Sequence, residues 1–475
     1  MTPLKVVYIS IQCSDSSTFR TGTDLYQERT GNPVDLFHVN GEAVDDDPLI
    51  YHDLVLRSKE ADLIIIRCMA DPTRMKRFER YEEVLRECKG YVMIHLPSAD
   101  VGLLYRDHFR GTDEEFLLLR TYLINRDREN DVSILHWLNH KLTGEGSVPE
   151  PVTSRESGIF HPDFSRDITL DEYLDHLIPG RPTIGILYTA NLWIYDNQTH
   201  IISLIRKMEE LEMNVIPVFF SALVHNIDGK SGTAAIVQKY FMDGDRCRVN
   251  AIAMCSSFSQ INNSRDCYGI YTPDEQNFFH TMTDVPVMQV MQVSGHYADY
   301  EETAEGLSKS EFNMGVIWPE LDGQIITVPI ASGEGGKKMK KYTPLDDRID
   351  HLCRMIKNWA VISSIPRSER KIAILMYQSR PDTGRIGGAA GLDSIESVCD
   401  MLKRFAEEGY TLDHVPENGT ELVKEIIDNI TNDLEWSSSQ RIRDKAVALI
   451  DNSCYLKEYE KLSEFNRRTI EESWG

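Results

Sequence analysis

Three times along the chain a strand-forming apolar run opens a new segment: Leu4-Lys-Val-Val-Tyr-Ile-Ser10, Arg181-Pro-Thr-Ile-Gly-Ile-Leu-Tyr188 and Lys371-Ile-Ala-Ile-Leu-Met-Tyr377. Runs of this kind suit strands buried on both faces, the condition of a parallel sheet covered by helices. The first opening is followed by Ala61-Asp-Leu-Ile-Ile-Ile-Arg67 and Gly90-Tyr-Val-Met-Ile-His-Leu96, with charged helical sequence at 75–88 between them. The second is followed by strand-like runs at 214–220, 249–254 and 285–291. Strands alternating with helices place the chain in the α/β class, as several Rossmann-like parallel-sheet domains in tandem. No fixed repeat period accompanies the similar openings.

The 475 residues suggest about three domains at roughly 150 residues each. Residues 1–142 read as an N-terminal α/β domain closed by helical sequence at 113–142. Residues 143–180 hold Pro149, Pro151, Pro162 and Pro179 and only a short helix at 170–177, so they read as an irregular connection. A second α/β domain covers 181–344. Its helix at 200–212 gathers Ile201, Leu204, Ile205, Met208 and Leu211 on one face. Residues 345–475 read as a helix at 345–362 and the start of a third α/β domain. There the strand at 371–377 leads through a glycine-rich loop to a helix at 394–408 ended by Gly409, then a strand at 411–416.

Acidic residues outnumber basic ones 75 to 51, a formal charge of −24, which argues against general binding to nucleic acid or anionic membranes. No apolar run reaches the roughly 18 residues of a membrane helix. The N-terminus lacks the basic, apolar and small-residue regions of a signal peptide, and a cytoplasmic location is expected. None of the 9 cysteines forms Cys-x-x-Cys, so buried free thiols in a reducing compartment are expected. Lys337, Lys338, Lys340 and Lys341 read as a solvated basic loop.

Four features carry chemistry by their residue types. Gly384-Arg-Ile-Gly-Gly-Ala-Ala-Gly-Leu-Asp393 falls between a strand and a helix, where amides can hold an anion, and Arg385 could contact a carboxylate or phosphate. Its spacing is neither a dinucleotide fingerprint nor a Walker A loop, so a tight loop of small residues is the plainer reading. Asp393 and Glu396 look like a capping box. His136 and His140 have metal-chelating spacing but no third ligand, and read as packed or exposed helix histidines. His296 follows a strand end, where parallel sheets gather ligand contacts. Trp318-Pro-Glu-Leu-Asp-Gly323 reads as a tight turn between strands at 314–318 and 324–330. In an extended turn Glu320 and Asp322 would point the same way, although no nucleophile accompanies them.

Taken in order, the opening at 181–187, the Pro-Glu-Leu-Asp-Gly turn, Lys371-Ile-Ala-Ile-Leu375 leading to the glycine loop, Gly409-Tyr410 and the terminal Glu471-Glu-Ser-Trp-Gly475 resemble the large subunit of the aerobic cobaltochelatase and magnesium chelatase H family. The resemblance covers 181–475 strongly and the first 180 residues loosely. It implies a subunit that binds a tetrapyrrole and receives Co2+, with Mg2+ the second choice, as a substrate metal. It also implies separate AAA+ ATPase partner subunits that use the ATP, in keeping with the lack of a Walker A loop. Glu320 and Asp322 are then the candidate catalytic carboxylates. Trp318, His296, Arg385, Gly387 and Gly388 are the candidate macrocycle contacts, and no metal ligand is assigned. The family's later His-x-Gly-Thr-His-Gly stretch has no counterpart here. The chain is therefore expected to be the N-terminal part of a longer protein, inactive in insertion by itself. A non-catalytic tetrapyrrole-binding or assembly module is the alternative. A sugar- or nucleotide-binding α/β enzyme is disfavoured by the missing fingerprint.

Overall fold

The computed structural model describes the chain except for residues 1, 12–17, 69–70, 97–102, 126, 154, 222–231, 258, 261–277, 294, 299–305, 335–340, 378–385, 430–437, 447 and 475. Two compact units emerge, Met1–Val361 and Ile362–Gly475.

The first unit holds two sheets. Strands β1 (Leu4–Ile11), β2 (Val34–Asn40), β3 (Leu63–Cys68) and β4 (Tyr91–His95) form a wholly parallel sheet in the order β2-β1-β3-β4. The unbroken apolar runs follow from its two covered faces. Val6, Tyr8, Leu63 and Ile65 point into one core, with Phe116 and Trp137 from helices α4 (Asp113–Ile124) and α5 (Arg128–Thr143). The intervening Val7, Ile9, Ile64 and Ile66 point into the other, with Phe78, Tyr81 and Leu85 of α3 (Phe78–Glu87), counting α1 as Thr18–Thr30 and α2 as Pro48–Glu60. The helical sequence at 113–142 thus forms two helices. Thr112 caps the first with a complete capping box, and Asp127 caps the second.

The second sheet has seven strands. With β5 (Ser157–Ile159), β6 (Thr183–Thr189), β7 (Asn214–Phe220), β8 (Ala251–Cys255), β9 (Val287–Val293), β10 (Ile325–Glu334) and β11 (Lys341–Pro344), the order is β11-β10-β9-β8-β6-β7-β5. The five central strands are parallel, and β11 and β5 close the edges antiparallel. Alternation again serves two cores. Ile184, Ile186, Tyr188, Ala253 and Val290 meet one, covered by α6 (Thr199–Glu210). Leu187, Val218, Ile252 and Met254 meet the other, covered by α7 (Gly232–Phe241). Gly185 is required at its position, because a Cβ there would lie 2.6 Å from the Phe241 ring.

Two segments join this sheet that the sequence places elsewhere. The connection at 143–180 supplies edge strand β5 and Tyr173, whose hydroxyl donates to the Val215 carbonyl at 2.9 Å. Helix α8 (Asp346–Ile362), expected to lead into a third domain, buries Ile349, Leu352, Cys353 and Ile356 in the core beside α6. Its apolar stripe finds a finished surface there.

The expected strand at 314–318 does not form. Asn313–Ile317 is a π-helical turn, continued by one α-turn, Trp318–Leu321, with Pro319 in its first positions. Gly315 lets this turn lie against the sheet, since a Cβ there would sit 3.3 Å from Met291 Sδ. Packing on β9 has overridden the β propensity of Val316, Ile317 and Trp318.

In the second unit, residues 371–377 and 411–416 carry no strand pairing among the described residues. Ile374 and Met376 pack against Val398, Cys399 and Leu422, contributed by α9 (Ser394–Glu407) and α10 (Gly419–Asp428). Leu375 on the opposite face is 95% exposed. Among the described cysteines Cys68, Cys88, Cys255, Cys353 and Cys399 are buried free thiols, as expected, whereas Cys454 is exposed; Cys13 and Cys267 lie outside the described residues. No described helix is long and apolar enough to cross a membrane.

Candidate functional site

Numbered from β6, the parallel core of the larger sheet runs 2-1-3-4-5. The winding reverses between β6 and β8, and in open α/β sheets ligands bind outside the carboxyl ends of the strands at such a point. The residues following β8 are Ser256, Ser257, Ser259 and Gln260. Ser256, Ser259 and Gln260 are buried, and this is where Asp322 arrives.

Asp322 Oδ1 accepts from Ser259 Oγ at 2.7 Å, and Oδ2 accepts from the Gln260 amide at 2.6 Å. The Gln260 side chain extends the network on both sides. Thr233 Oγ1, at the start of α7, donates to its Oε1 at 2.7 Å, and its Nε2 donates to Ser256 Oγ at 3.3 Å. Gln289 of β9 donates to the Ser256 carbonyl at 3.1 Å. One buried seam therefore fastens the segments after β7 and β8 to β9 and to the turn before β10. Charged acceptors to backbone and hydroxyl donors form the stronger class of hydrogen bond, so Asp322 is its main anchor. The β9–β10 ladder shifts register beside Met291, where Pro329 is its partner, and such irregularities often re-aim side chains near sites. Gln289 Oε1 and both polar atoms of the Gln324 side chain are buried without hydrogen-bond partners among the described residues. Buried polar atoms of this kind are few in folded proteins.

The expectation that Glu320 and Asp322 point the same way is overturned. Helical backbone separates them, so Glu320 faces solvent while Asp322 turns inward at 3% exposure. The turn is closed by Gly323, at φ +77°, whose amide donates to the Glu320 carbonyl at 3.0 Å. Trp318 leaves 40% of its surface open. His296 is exposed just past the end of β9, and Arg348 donates to the neighbouring Tyr297 hydroxyl at 3.1 Å.

The glycine loop belongs to the second unit. Gly384 and Arg385 lie outside the described residues, as do Lys337, Lys338 and Lys340. Gly387, at φ +69°, donates its amide to the Tyr377 carbonyl at 3.0 Å. Gly388 pairs with Asp393 in a two-residue hairpin. Asp393 caps α9 by accepting from the Glu396 amide at 3.0 Å, but Glu396 turns away to accept from Gly419 at 2.7 Å. Only half of the expected capping box forms, because the start of α10 outcompetes the return bond. His136 lies edge-on to Tyr26, with 5.0 Å between ring centroids, and burial lowers its pKa. His140 contacts the Gly146 carbonyl through Nδ1 at 2.9 Å. These two read as structural histidines.

Sequence reasoning missed Thr233, Ser256, Ser259, Gln260 and Gln289. The signals were present: a Ser-rich run directly after a buried strand, and glutamines inside the apolar run Val287–Val293.

Fold and seam together define a doubly wound α/β protein with a polar site at the switch point of its larger sheet. Residues 120–475 match the family model described as CobN/Magnesium Chelatase, and the chain belongs to that family. It is 26% identical over 333 residues to the aerobic cobaltochelatase subunit CobN of Pseudomonas aeruginosa, covering 69% of this chain and 25% of that protein. Against the chloroplastic magnesium-chelatase subunit ChlH of Oryza sativa the identity is 24% over 346 residues, covering 69% and 23%. An uncharacterized protein of Methanocaldococcus jannaschii is 30% identical over 318 residues, covering 65% and 25%. The catalytic subunit of cobaltochelatase from Mycobacterium tuberculosis superposes with a TM-score of 0.58 at 17% identity, over 90% of this chain and 33% of that one. The chain thus spans about a quarter of the length of the curated relatives it matches.

Proposed function

We propose that the chain is part of the tetrapyrrole-binding large subunit of an ATP-dependent metallochelatase, which delivers Co2+, in preference to Mg2+, into a corrinoid or porphyrin. AAA+ ATPase subunits would act as partners and hydrolyse the ATP. The observation that carries this reading is the anchoring of Asp322 at the switch point in a chain of this family. A flat, largely apolar macrocycle with carboxylate edges needs an apolar face and polar groups held still beside it. Trp318 offers the face. The seam supplies the rigidity, and Glu320 is a solvent-facing carboxylate that can take a pyrrole proton as metal enters. His296, exposed just past β9, is the further candidate contact on this unit. Arg385, Gly387 and Gly388 stay separate candidates of the second unit.

In this reading Asp322 is a positioning residue and Glu320 the candidate catalytic one. Titration of the chain with a cobyrinate-type corrinoid, and separately with protoporphyrin, followed by visible absorbance and Trp fluorescence, tests binding. Trp318→Ala is expected to weaken the macrocycle by about tenfold, in line with the worth of one aromatic stacking contact. Unaltered binding in that variant would remove Trp318 from the site. Absence of any spectral change with either macrocycle would sink the proposal. Chelation assayed with and without the ATPase subunits separates an insertion role from a purely binding one.

A further inference from the structure

One cluster in the second unit has no part in the seam. His414, Glu421 and Glu425 each bring one ligand atom within 4.8 Å of the others. His414 Nε2 lies 3.1 Å from Glu425 Oε1 and 3.5 Å from Glu421 Oε1. The two glutamates are one turn apart on α10, and so share a face. Asn418 caps that helix by accepting from the Glu421 amide at 3.1 Å. Glu421 is also held from behind, because the Glu417 amide donates to its Oε2 at 2.6 Å and leaves Oε1 for the histidine.

The separations suit an ion. Ligand bonds of about 2.1 Å place neighbouring donor atoms roughly 3.0 Å apart in octahedral and roughly 3.4 Å apart in tetrahedral coordination. We infer that His414, Glu421 and Glu425 form a divalent-cation site for a borderline metal such as Co2+. One imidazole among the donors selects Co2+, Ni2+ or Zn2+ over Mg2+, which prefers oxygen ligands throughout. The three side chains supply part of a coordination shell and remain partly exposed, so water completes it and the metal can leave. The site accepts the metal ahead of insertion; that role rests on the proposed function, whereas the binding itself does not.

Co2+ and Mg2+ are titrated separately into the tag-free chain, with calorimetry and the visible absorption of Co2+ as readouts. One equivalent of Co2+ is expected at the cluster, bound at least about tenfold more tightly than Mg2+. His414→Ala and Glu425→Gln should each weaken Co2+ by at least about tenfold. His280→Ala, a surface histidine 3.4 Å from Asp284, should not. Circular dichroism checks each fold, and Glu425→Gln decides the matter if His414→Ala fails to fold. Co2+ affinity equal in the wild type and Glu425→Gln overturns the inference. A chain that binds tetrapyrrole but no Co2+ at the cluster overturns this inference alone. A chain that binds Co2+ there but no macrocycle keeps the site and loses the proposed function.

Discussion

Strand β6, Thr183–Thr189, and the stretch Lys371-Ile-Ala-Ile-Leu-Met-Tyr377 read almost identically as sequence. In the structure β6 pairs on both sides, with β7 and β8, and its residues from Thr183 to Tyr188 are buried. Among the described residues, 371–377 form no strand ladder. They pack Ile374 and Met376 on two helices and leave Leu375 and Tyr377 at 95% and 72% exposure. An apolar run therefore specifies only that a segment can be a strand. A ladder also needs neighbours about 4.8 Å away on each side and a helical layer over each face.

The sharpest test of this contrast is hydrogen exchange. Amides of β6 should exchange at least about a thousandfold more slowly than those of 371–377, because ladder amides open only with the sheet. Comparable rates would break the comparison. The next largest effect is on packing. Ile186→Ala should cost about 2–5 kcal/mol in denaturant unfolding of the chain.

The seam exists only where the sheet closes, and it can be probed in the same way. Asp322→Ala leaves the Gln260 amide and Ser259 hydroxyl without their acceptor, at a cost of about 1–3 kcal/mol. Exchange at the Gln260 amide should accelerate along with it. A variant as stable as the wild type would deny Asp322 its anchoring role.

Closure also sets a pH dependence. His200 on α6 is fully buried, with neither ring nitrogen hydrogen-bonded among the described residues, and burial lowers its pKa to about 3. The unfolded chain takes up that proton near pH 6.5, so between about 6.5 and 3 the unfolded state binds more protons than the folded one. This contribution is present in full above pH 6.5 and is lost as pH falls through that window, by up to roughly 1.4 kcal/mol per pH unit. His38, lowered to about 4 mainly by burial, adds a slope of the same sign. His200→Leu should flatten the profile relative to wild type, and an unchanged slope would show that the ring is reached by solvent. The smallest effect belongs to the open run: Leu375→Ala should change stability by no more than about 0.5 kcal/mol.

Much of the first unit was legible because buried parallel strands announce themselves by composition. The runs at 61–67, 90–96 and 214–220 and the helix at 200–212 all needed only local information. The π-turn at Asn313–Ile317 was not legible, since Val316, Ile317 and Trp318 favour strands and only contact with β9 decides otherwise. The candidate site was half legible. Pro319 to Gly323 stood out as a turn with acids, but Asp322 meets Ser259 and Gln260 from 63 and 62 positions away. No spacing rule reaches that far.

By itself the sequence determined the α/β class and the placement of most first-unit strands, because apolar periodicity and local turn chemistry act over a few residues; the likeness to the chelatases was carried by its motifs and their order. Tertiary structure decided which runs became strands, which of two neighbouring acids was buried and where α8 belonged. Those outcomes depend on partners supplied from distant positions, and a buried carboxylate is stable only once its donors have been brought to it.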